Sequence, residues 1–441
     1  MSELNFLCVL GDSQEEWKKA LHWVEENDKR RLIVVQSFDA QDPKVTSYCL
    51  ETPFQIPFLA EKIASDTVLL PMEILGGEEG IFSVFRKELE KARIRTNLLL
   101  SDGADFGCSL VKECIAKKGK KTRQGLKLKN AFENVPAIVV GAGPSLKKIQ
   151  ELLPKFQEKA LVLTGGSAMN LLDIAPHFAS SIDKIAPYQK FKEFAFAETP
   201  FFIQNRMNAK NFSLIHGEAI LFPDSHFSFL SDEEAFDGGW TVGTFLIAIA
   251  TWIGCNPIFL AGMDFCYDAE GRKYGKKTGA LEGSEELFKV KIRNGKEALT
   301  QQDWLMAHDW IEGFAKEHPE TKFIDVTGEG IGFSHPVRTQ GLDAIFLAEQ
   351  KDLKKRVHDA VQHLPFSSQI PWEDWKMNLE RCLGIFSEAE LQKEIVYEKL
   401  LFPLWNLWAP VFQRTFASSE LDMHRLVFFQ TVIEEHLHVF D

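Results

Sequence analysis

The chain has 441 residues, of which 45% are hydrophobic, and its formal net charge is −13. These values predict a globular protein of two or three domains, and the acidic balance argues against nucleic acid as a partner. The cysteines form no C-x-x-C pair, so we expect neither a disulfide framework nor a zinc ribbon. The first residues lack the basic region of a signal peptide, and no apolar run approaches the ~18 residues of a membrane span. We therefore expect a cytoplasmic protein without a membrane span.

Residues 1–115 are predicted to form a small N-terminal α/β domain. Short apolar runs there alternate with an amphipathic stretch, which is the pattern of strands around a helix. We expect strands at 4–10, 31–35, 68–70 and 96–100, and a helix at 14–27.

A basic connector follows at residues 116–130. It carries seven lysine and arginine residues and no acid between 117 and 129. Two interpretations stay open, a solvated linker and an electropositive arm that leads to the loop at residue 141 and attracts a phosphorylated ligand.

Residues 131–345 are predicted to form the core, a Rossmann-like, doubly wound parallel sheet, because at least six strand-like runs alternate with helices. The first strand breaks into a glycine loop that opens a helix. Such a loop presents backbone N–H groups at the positive end of the helix dipole, which predicts a site for a phosphate or another anion. The loop residues assigned to that site are Gly141, Gly143, Pro144 and Ser145. A tight turn without a ligand is the alternative interpretation.

The glycine loop is neither a dinucleotide fingerprint nor a P-loop. Leu146 stands where G-x-G-x-x-G needs its third glycine, and the next strand ends in Gly165, Gly166 and Ser167 instead of an acid for ribose. No G-x-x-x-x-G-K-[ST] motif occurs. We expect Gly165, Gly166 and Ser167 to face the ribose or base, and a second tight turn is the alternative.

A second glycine segment opens a long apolar helix. We expect Gly238, Gly239 and Thr241 to bind the sugar, carboxylate or phosphate of a donor, and close helix packing allowed by glycine is the alternative. A buried strand over 258–263 then ends at Asp264. Because ligands of open parallel sheets lie beyond the carboxyl ends of the strands, Asp264 is a candidate catalytic residue.

Asp183 occupies the same kind of position, after the strand at 178–182. In a glycosyl transfer, Asp183 or Asp264 would orient sugar hydroxyls or act as the base that activates the acceptor. In a pyrophosphoryl transfer, the two carboxylates would hold Mg²⁺. A helix cap at a strand end is the non-catalytic alternative. Tyr267 is expected to contact the ligand.

Two histidines are candidate bases. His335, in a glycine-rich segment after a strand, is the first choice, and His177 is the second, with a structural role as the alternative for both.

Residues 346–441 switch to helical spacing and are predicted to form a C-terminal helical domain. Its aromatic stripe over 383–412 is interpreted as the core of a helix bundle, and docking of a protein partner is the alternative.

Four segments in order resemble one family. They read PAIVVGAGPSL from residue 136, PHFASSID from residue 176, GGWTV from residue 238 and GCNPIFLAGMDF from residue 254. The set resembles the family of bacterial motility-associated factor (Maf) glycosyltransferases and archaeal 6-hydroxymethylpterin pyrophosphokinases, called MptE-like. The core is also similar to that of bacterial sialyltransferases. The resemblance implies a nucleotide or nucleotide-sugar ligand.

Three functions are compatible with this resemblance. The first is a glycosyltransferase that uses a nucleotide-activated sugar of the CMP-nonulosonic acid type, with a protein acceptor docked on the C-terminal helices. The second is an ATP- and Mg²⁺-dependent pyrophosphokinase, which is disfavoured because the archaeal enzymes resemble the core alone. The third is a non-catalytic nucleotide-binding or interaction protein, which the departures Lys147, Lys148 and Lys184 from the family pattern keep open.

Overall fold

The computed structural model describes most of the chain. The residues described are 5–11, 13–27, 30–36, 45–67, 72–183, 198–224, 234–268, 271, 287–368, 370–386 and 423–440. The chain divides into two compact units, one of residues 1–109 with 377–439 and 441, the other of residues 110–376 with 440. The boundaries predicted at 115, 130 and 345 stay predictions.

The first unit contains a small parallel sheet. Its strands are β1 (Asn5–Leu10), β2 (Arg30–Gln36), β3 (Val45–Cys49) and β4 (Met72–Gly76), in the order β3-β2-β1-β4. Helix α1 (Gln14–Glu25) follows β1, and helix α2 (Ile56–Asp66) follows β3. Alternation of strands and helices explains the all-parallel pairing, because a parallel pair needs a crossover connection. The predicted α/β class is therefore confirmed for this unit.

One predicted strand of the N-terminal region is wrong. Residues 96–100 lie inside a single 36-residue helix, α3 (Gly80–Ile115). Leucine is a strong helix former, and its three consecutive copies at 98–100 continue the helix instead of starting a strand. The strand predicted at 68–70 lies outside the described residues.

The second unit is built on a nine-stranded sheet in which every pair of neighbours is parallel. Its strands are β5 (Arg123–Gln124), β6 (Ala137–Val140), β7 (Leu161–Gly165), β8 (Phe178–Ser181), β9 (Phe201–Ile203), β10 (Ala219–Leu221), β11 (Ile258–Ala261), β14 (Phe323–Asp325) and β15 (Arg338–Thr339). An antiparallel hairpin of β12 (Leu287–Lys291) and β13 (Glu297–Gln301) forms a separate small sheet.

The strand order makes this sheet doubly wound. It runs β15-β14-β11-β6-β7-β8-β9-β10-β5, so that the chain first builds outward from β6 on one side and then returns to β6 to add β11 on the other. The direction of winding therefore reverses between β6 and β11. Such a switch point leaves a crevice at the carboxyl ends of the two strands. The predicted Rossmann-like core is confirmed, and the glycine loop and Asp264 both follow strands at its switch point.

Helices cover both faces of the core sheet. Those of this unit are α4 (Leu146–Ile149), α5 (Ala209–Phe212), α6 (Val242–Trp252), α7 (Gln302–Glu317) and α8 (Leu353–Gln362). Two further helices are α9 (Trp372–Phe386), which crosses the boundary between the units, and α10 (Met423–Leu437), which belongs to the first unit. Short 3-10 helices lie at Pro53–Gln55, Gly125–Leu128, Leu153–Phe156, Gly166–Leu171 and Leu342–Ala344. No helix among the described residues has the length and apolarity needed to cross a membrane. Most of the predicted aromatic stripe at 383–412 lies outside the described residues.

The core is apolar on both faces of the sheet, as expected for parallel strands that helices cover. All four residues of β6 and of β11 are buried. Helix α6 is apolar around nearly its whole circumference and packs on β6 and β7, with seven residues from Thr244 to Ala250 buried. This burial explains why α6 is uniform in hydrophobicity instead of amphipathic.

The basic segment runs along an edge of the sheet that is remote from the glycine loop. It contains β5, which pairs with β10 at the opposite end of the strand order from β11. The Lys117 ammonium donates to the backbone carbonyl of Asn205 at 2.6 Å, and Lys118 pairs with Glu373 at 3.0 Å. The interpretation as an arm leading to residue 141 is therefore wrong, because four strands separate β5 from β6.

Candidate functional site

A cleft of about 310 Å³ opens at the carboxyl ends of β6, β7, β8 and β11. It lies at the switch point of the sheet, where a ligand is expected from topology alone. Its lining comprises Val140, Gly141, Ala142, Gly143, Gly165, Gly166, Ser167, Ile182, Asp183, Trp240, Thr241, Val242, Gly243, Leu246, Gly262, Met263, Asp264, Phe265, Cys266, Asp303 and Trp304. Eight of the residues predicted from sequence are in this set, from five separate segments of the chain.

The glycine loop after β6 lies against the loop after β11. Gly141 N–H donates to the Ala261 carbonyl at 2.8 Å, and Gly143 N–H donates to the Gly262 carbonyl at 2.9 Å. A Cβ atom on Gly143 would lie 1.9 Å from Asp264 Oδ2, and one on Gly141 would lie 2.6 Å from the Gly262 carbonyl oxygen. Glycine is therefore required at both positions for the two loops to approach each other.

These contacts change the role of the loop N–H groups. Besides Gly141 and Gly143, Ser145 N–H donates to Asp264 Oδ2 at 3.3 Å, and Leu146 N–H donates to the Gly143 carbonyl at 3.0 Å. Three N–H groups that the sequence led us to expect at a phosphate, those of Gly141, Gly143 and Ser145, are thus bonded within the protein. The loop forms one wall of the cleft and holds Asp264 in place.

Asp264 is a buried carboxylate at the base of the cleft, with 3% of its surface exposed. The Ser145 hydroxyl donates to its Oδ2 atom at 2.8 Å. Burial raises the pKa of Asp264 to about 6, the hydrogen bonds from Ser145 lower it, and the nearby carboxylates of Glu329 and Asp325 raise it further. A carboxyl group of this kind changes its charge close to neutral pH.

Asp183 follows β8 and is half-buried in the same cleft. Strands β6 and β7 lie between β8 and β11, so the ends of β8 and β11 are three strand spacings apart. At ~4.8 Å per spacing this is about 14 Å, which does not suit one Mg²⁺ ion bridging Asp183 and Asp264. Within the described part of the chain, no group of three or more His, Cys, Asp or Glu residues is arranged to hold a metal ion.

The amino terminus of α6 forms another wall of the cleft. Thr241 caps the helix by accepting the Thr244 N–H at 3.2 Å, and Thr244 Oγ1 accepts the Thr241 N–H at 2.9 Å in return. Val242 and Gly243 occupy the first turn and line the cleft. N–H groups at these first positions have no carbonyl partner within their own helix and lie at its positive end.

Gly165 and Gly239 fit their surroundings through close packing. A Cβ atom on Gly165 would lie 2.1 Å from Val242 Cγ1. The end of β7 can therefore approach the start of α6 only because residue 165 is glycine. Gly239 has φ +65°, and a Cβ there would lie 2.8 Å from both Thr244 Oγ1 and Trp310 Cε2. The helix-packing alternative therefore describes Gly239 and its neighbour Gly238, neither of which lines the cleft.

Some predicted residues lie outside the cleft lining. They are Pro144, Ser145, Gly238, Gly239, Tyr267, His335 and His177. Ser145 is fully buried beneath Asp264, and Tyr267 is buried with its ring 5.1 Å from that of Trp304. His335 is exposed, and His177 precedes β8 at the opposite edge of the sheet.

Sequence reasoning missed Trp240, Asp303 and Trp304 as parts of the cleft. Asp303 and Trp304 begin α7, which follows the hairpin. Tyr267 N–H donates to the Leu299 carbonyl at 2.8 Å, and the Thr300 hydroxyl donates to the Phe265 carbonyl at 2.6 Å. These bonds bring β13 and the start of α7 to the end of β11. Of these three residues, only Trp240 could have been predicted from the sequence, because it lies between two residues of the glycine segment that was assigned to the site.

Comparison with known proteins agrees with this geometry. Residues 114–270 match the family model described as 6-hydroxymethylpterin diphosphokinase MptE-like. No curated protein matches the chain. Among solved structures, the Maf glycosyltransferase from Magnetospirillum magneticum AMB-1 is similar in fold, with a TM-score of 0.57 and 14% identity over 98% of this chain and 77% of that one. The resemblance to the MptE-like and Maf family that the sequence predicted is thereby confirmed, with the family model covering the segment that supplies the glycine loop, Asp183 and Asp264.

Proposed function

We propose that this protein is a transferase that binds a nucleotide-activated sugar in the cleft and transfers the sugar to an acceptor hydroxyl. The observation that carries the proposal is the buried carboxyl of Asp264, with a pKa of about 6, at the switch point of a doubly wound sheet. A solved protein of similar fold is called a glycosyltransferase, which supports the same reaction class. The cleft volume of about 310 Å³ is at the small end of the range for ligand sites.

Asp264 is our candidate for the general base. A base works best when its pKa lies near the operating pH, and a carboxyl with a pKa of about 6 is mostly ionised at pH 7 while still able to accept a proton. The Ser145 hydroxyl holds the Oδ2 atom in one orientation. Asp183, more exposed and about three strands away, is assigned to the sugar hydroxyls of the donor.

The donor phosphate is assigned to the start of α6. With three of the glycine-loop N–H groups already bonded, the first-turn N–H groups of Val242 and Gly243 are well placed to bind an anion in the cleft. Trp240 and Trp304 provide aromatic faces for a base or a sugar ring. A donor of the CMP-nonulosonic acid type, which carries a phosphate and a carboxylate, suits this combination.

The family name favours a second candidate, an ATP-dependent pyrophosphokinase. Transfer of a pyrophosphoryl group uses Mg²⁺ bridging the nucleotide phosphates, and clustered carboxylates commonly hold that ion. The separation of about 14 Å between the ends of β8 and β11 disfavours such a shared site for Asp183 and Asp264. The candidate therefore ranks second.

Thermal denaturation of the full chain with nucleotides tests these assignments. We expect CMP-N-acetylneuraminate or CMP to raise the melting temperature. Gly243→Asp should abolish the effect, because a carboxylate at the second helix position repels the phosphate while remaining compatible with the helix dipole. Gly243→Asn is the matched control, with the same shape and no charge, and should retain most of the effect. A Cβ at this position has its closest contacts with the flexible end of Met263, at 3.2 and 3.3 Å, and an ordinary contact with Thr241 Oγ1 at 3.5 Å.

Three outcomes would contradict parts of the proposal. Stabilisation by ATP with Mg²⁺ and by no cytidine nucleotide would favour the pyrophosphokinase. A lack of response to every nucleotide would favour a non-catalytic interaction protein. An unchanged response of Gly243→Asp would show that the start of α6 is not the phosphate site.

A further inference from the structure

A second and larger cavity, of about 960 Å³, lies at the amino edge of the core sheet. It is lined by residues directly before β8, β9 and β10, including Pro176 and His177, Thr199 and Pro200, and Gly217 and Glu218. The cleft described above lies beyond the carboxyl ends of the strands. The two spaces therefore lie at opposite edges of one sheet, and the cavity cannot serve as a donor or acceptor subsite of the cleft.

Helix α8 forms one side of this cavity. Lys354, Val357, His358 and Val361 line it, and their spacing of three and four residues places them on one face of the helix. Val357 and Val361 are buried in the main core cluster, whereas Lys354 and His358 are exposed at the mouth. The same helix thus provides the cavity with an apolar wall and a cationic rim.

The charge around the cavity is positive in an acidic protein. Lys120, Lys121 and Lys354 line it, and within the described residues none of the three forms an ion pair. Of the two lining carboxylates, Glu218 is bound by Arg123 through bonds of 3.0 and 3.2 Å, which hold its pKa below the ordinary value. The exposed Glu198 is the other.

His177 is a buried member of the lining, with 6% of its surface exposed. Its Nδ1 atom accepts the Val162 N–H at 3.0 Å, so the proton of the neutral ring sits on Nε2. Burial, assisted by Lys354, lowers the pKa of His177 to about 4, and the ring is therefore neutral at pH 7. The Nε2 atom has no hydrogen-bond partner among the described residues. The neutral ring therefore adds no charge to the lining, and its Nε2 atom, with less than 1 Å² of accessible surface, does not face the open space.

We propose that this cavity is a second ligand site, which takes a phosphorylated organic molecule. The phosphate would be bound by Lys120, Lys121 and Lys354 at the rim, and the carbon part would pack against Val357 and Val361. Lysine ammonium groups act as point charges for phosphate, and the three come from two distant segments of the chain that line the same cavity. The site is independent of the transfer reaction proposed for the cleft.

Calorimetric titration of the full chain with inorganic pyrophosphate tests the site. We expect wild-type protein to bind pyrophosphate and Lys354→Gln to bind it about tenfold more weakly, the usual effect of removing one charged partner. Lys355→Gln is the matched control, because Lys355 is the next residue of the same exposed helix surface, lies outside the cavity lining and is 3.9 Å from Asp359. It should leave the affinity within about twofold.

Two results would overturn the proposal. The first is that wild-type protein does not bind pyrophosphate. The second is that Lys354→Gln and Lys355→Gln bind it equally, which would place the pyrophosphate elsewhere, including in the cleft. Since Lys354 is exposed and on the helix surface, neither variant is expected to unfold the chain.

Discussion

At the scale of single residues, the contact between Ser145 and Asp264 joins the two strands of the switch point. The glycine loop follows β6 and Asp264 follows β11, and the Ser145 N–H and hydroxyl both donate to Asp264 Oδ2. The loop that resembles a phosphate site thus positions a carboxylate instead. Its two glycines are needed for that approach, since a side chain at either would collide with the facing loop.

The raised pKa of Asp264 predicts how stability depends on pH. Between about pH 4 and pH 6 the folded protein keeps a proton on Asp264 that the unfolded chain has released. Stability from this group is therefore present at low pH and lost as the pH rises through this window. A difference between pKa values of about 4 and about 6 corresponds to about 3 kcal/mol. Asp264→Asn removes this dependence while its amide oxygen still accepts from Ser145.

Urea unfolding of wild type and Asp264→Asn at pH 4.5, 5.5 and 7 measures the effect. The variant should gain free energy of unfolding relative to wild type as the pH rises, by about 2 kcal/mol between pH 4.5 and pH 7. Asp374→Asn, at an exposed position in α9, is the control and should show no such trend. A constant difference between wild type and Asp264→Asn would mean that Asp264 does not titrate in this range.

At the scale of elements, the stability of helix α6 depends on an amino-terminal cap that its sequence predicts. The fully buried Thr244 hydroxyl accepts the Thr241 N–H at 2.9 Å, and its one proton is within reach of the Gly238 carbonyl at 2.9 Å and of the Thr241 carbonyl at 2.8 Å. Thr244→Val keeps the shape of the side chain but removes the acceptor of the Thr241 N–H and the donor to these carbonyls. We expect a loss of about 1–3 kcal/mol in the free energy of unfolding.

Thr251→Val on the same helix is the matched comparison. The Thr251 hydroxyl donates at 3.0 Å to the Ile247 carbonyl, which α6 already uses for its own backbone bonds. Its loss should change the free energy of unfolding by less than about 0.5 kcal/mol. Equal losses in the two variants, measured by urea titration, would show that the cap contributes nothing specific.

The elements also show how far the sequence predicts this protein. Strands β6, β7, β8 and β11 were predictable because each is a short apolar run ending in glycine or a polar residue, and α6 because a capping threonine precedes an apolar stretch. The start of α7 was not predictable as part of the cleft. Its position depends on hydrogen bonds from β13 to Phe265 and Tyr267, more than 30 residues earlier, and no local pattern encodes such contacts.

The strand wrongly predicted at residues 96–100 shows that a local pattern can also be ambiguous. The short apolar run at 98–100 fits a strand or a segment of buried helix equally well, and only the length of the surrounding pattern decides between them. Here the helical pattern continues on both sides to give the 36 residues of α3. At the candidate site, the glycine spacing correctly located the loop but did not reveal that its N–H groups are bonded to the facing loop.

At the scale of the whole molecule, the core sheet separates two spaces of different character. The carboxyl edge has a cleft with the carboxylates Asp183 and Asp264, and the amino edge has a cavity rimmed by lysines. A reaction site and a second ligand site can thus share one sheet without sharing residues. The basic segment, for which the sequence alone left open a solvated linker or an arm toward the glycine loop, contributes Lys120 and Lys121 to the second space.

Buried cysteines in the two compact units predict how the molecule responds to thiol reagents. Cys8 lies in β1 of the first unit, and Cys255 follows α6 in the second; both are almost fully buried. Burial raises the pKa of Cys8 to about 12 and raises that of Cys255 further, so the reactive thiolate is scarce as well as shielded. Cys49, in β3, is only half-buried.

In the native protein, iodoacetamide should therefore modify Cys49, and it should react with Cys8 and Cys255 at rates at least about 100-fold lower, as measured by peptide mass spectrometry. In urea, each buried cysteine should become reactive only when the unit that contains it unfolds, so Cys8 and Cys255 report separately on the two units. Fully unfolded protein, in which the three cysteines should react at similar rates, is the control. If Cys8 or Cys255 were labelled in the native protein as fast as Cys49, the unit that contains it would open readily without denaturant. The closely packed apolar core of each unit argues against such opening.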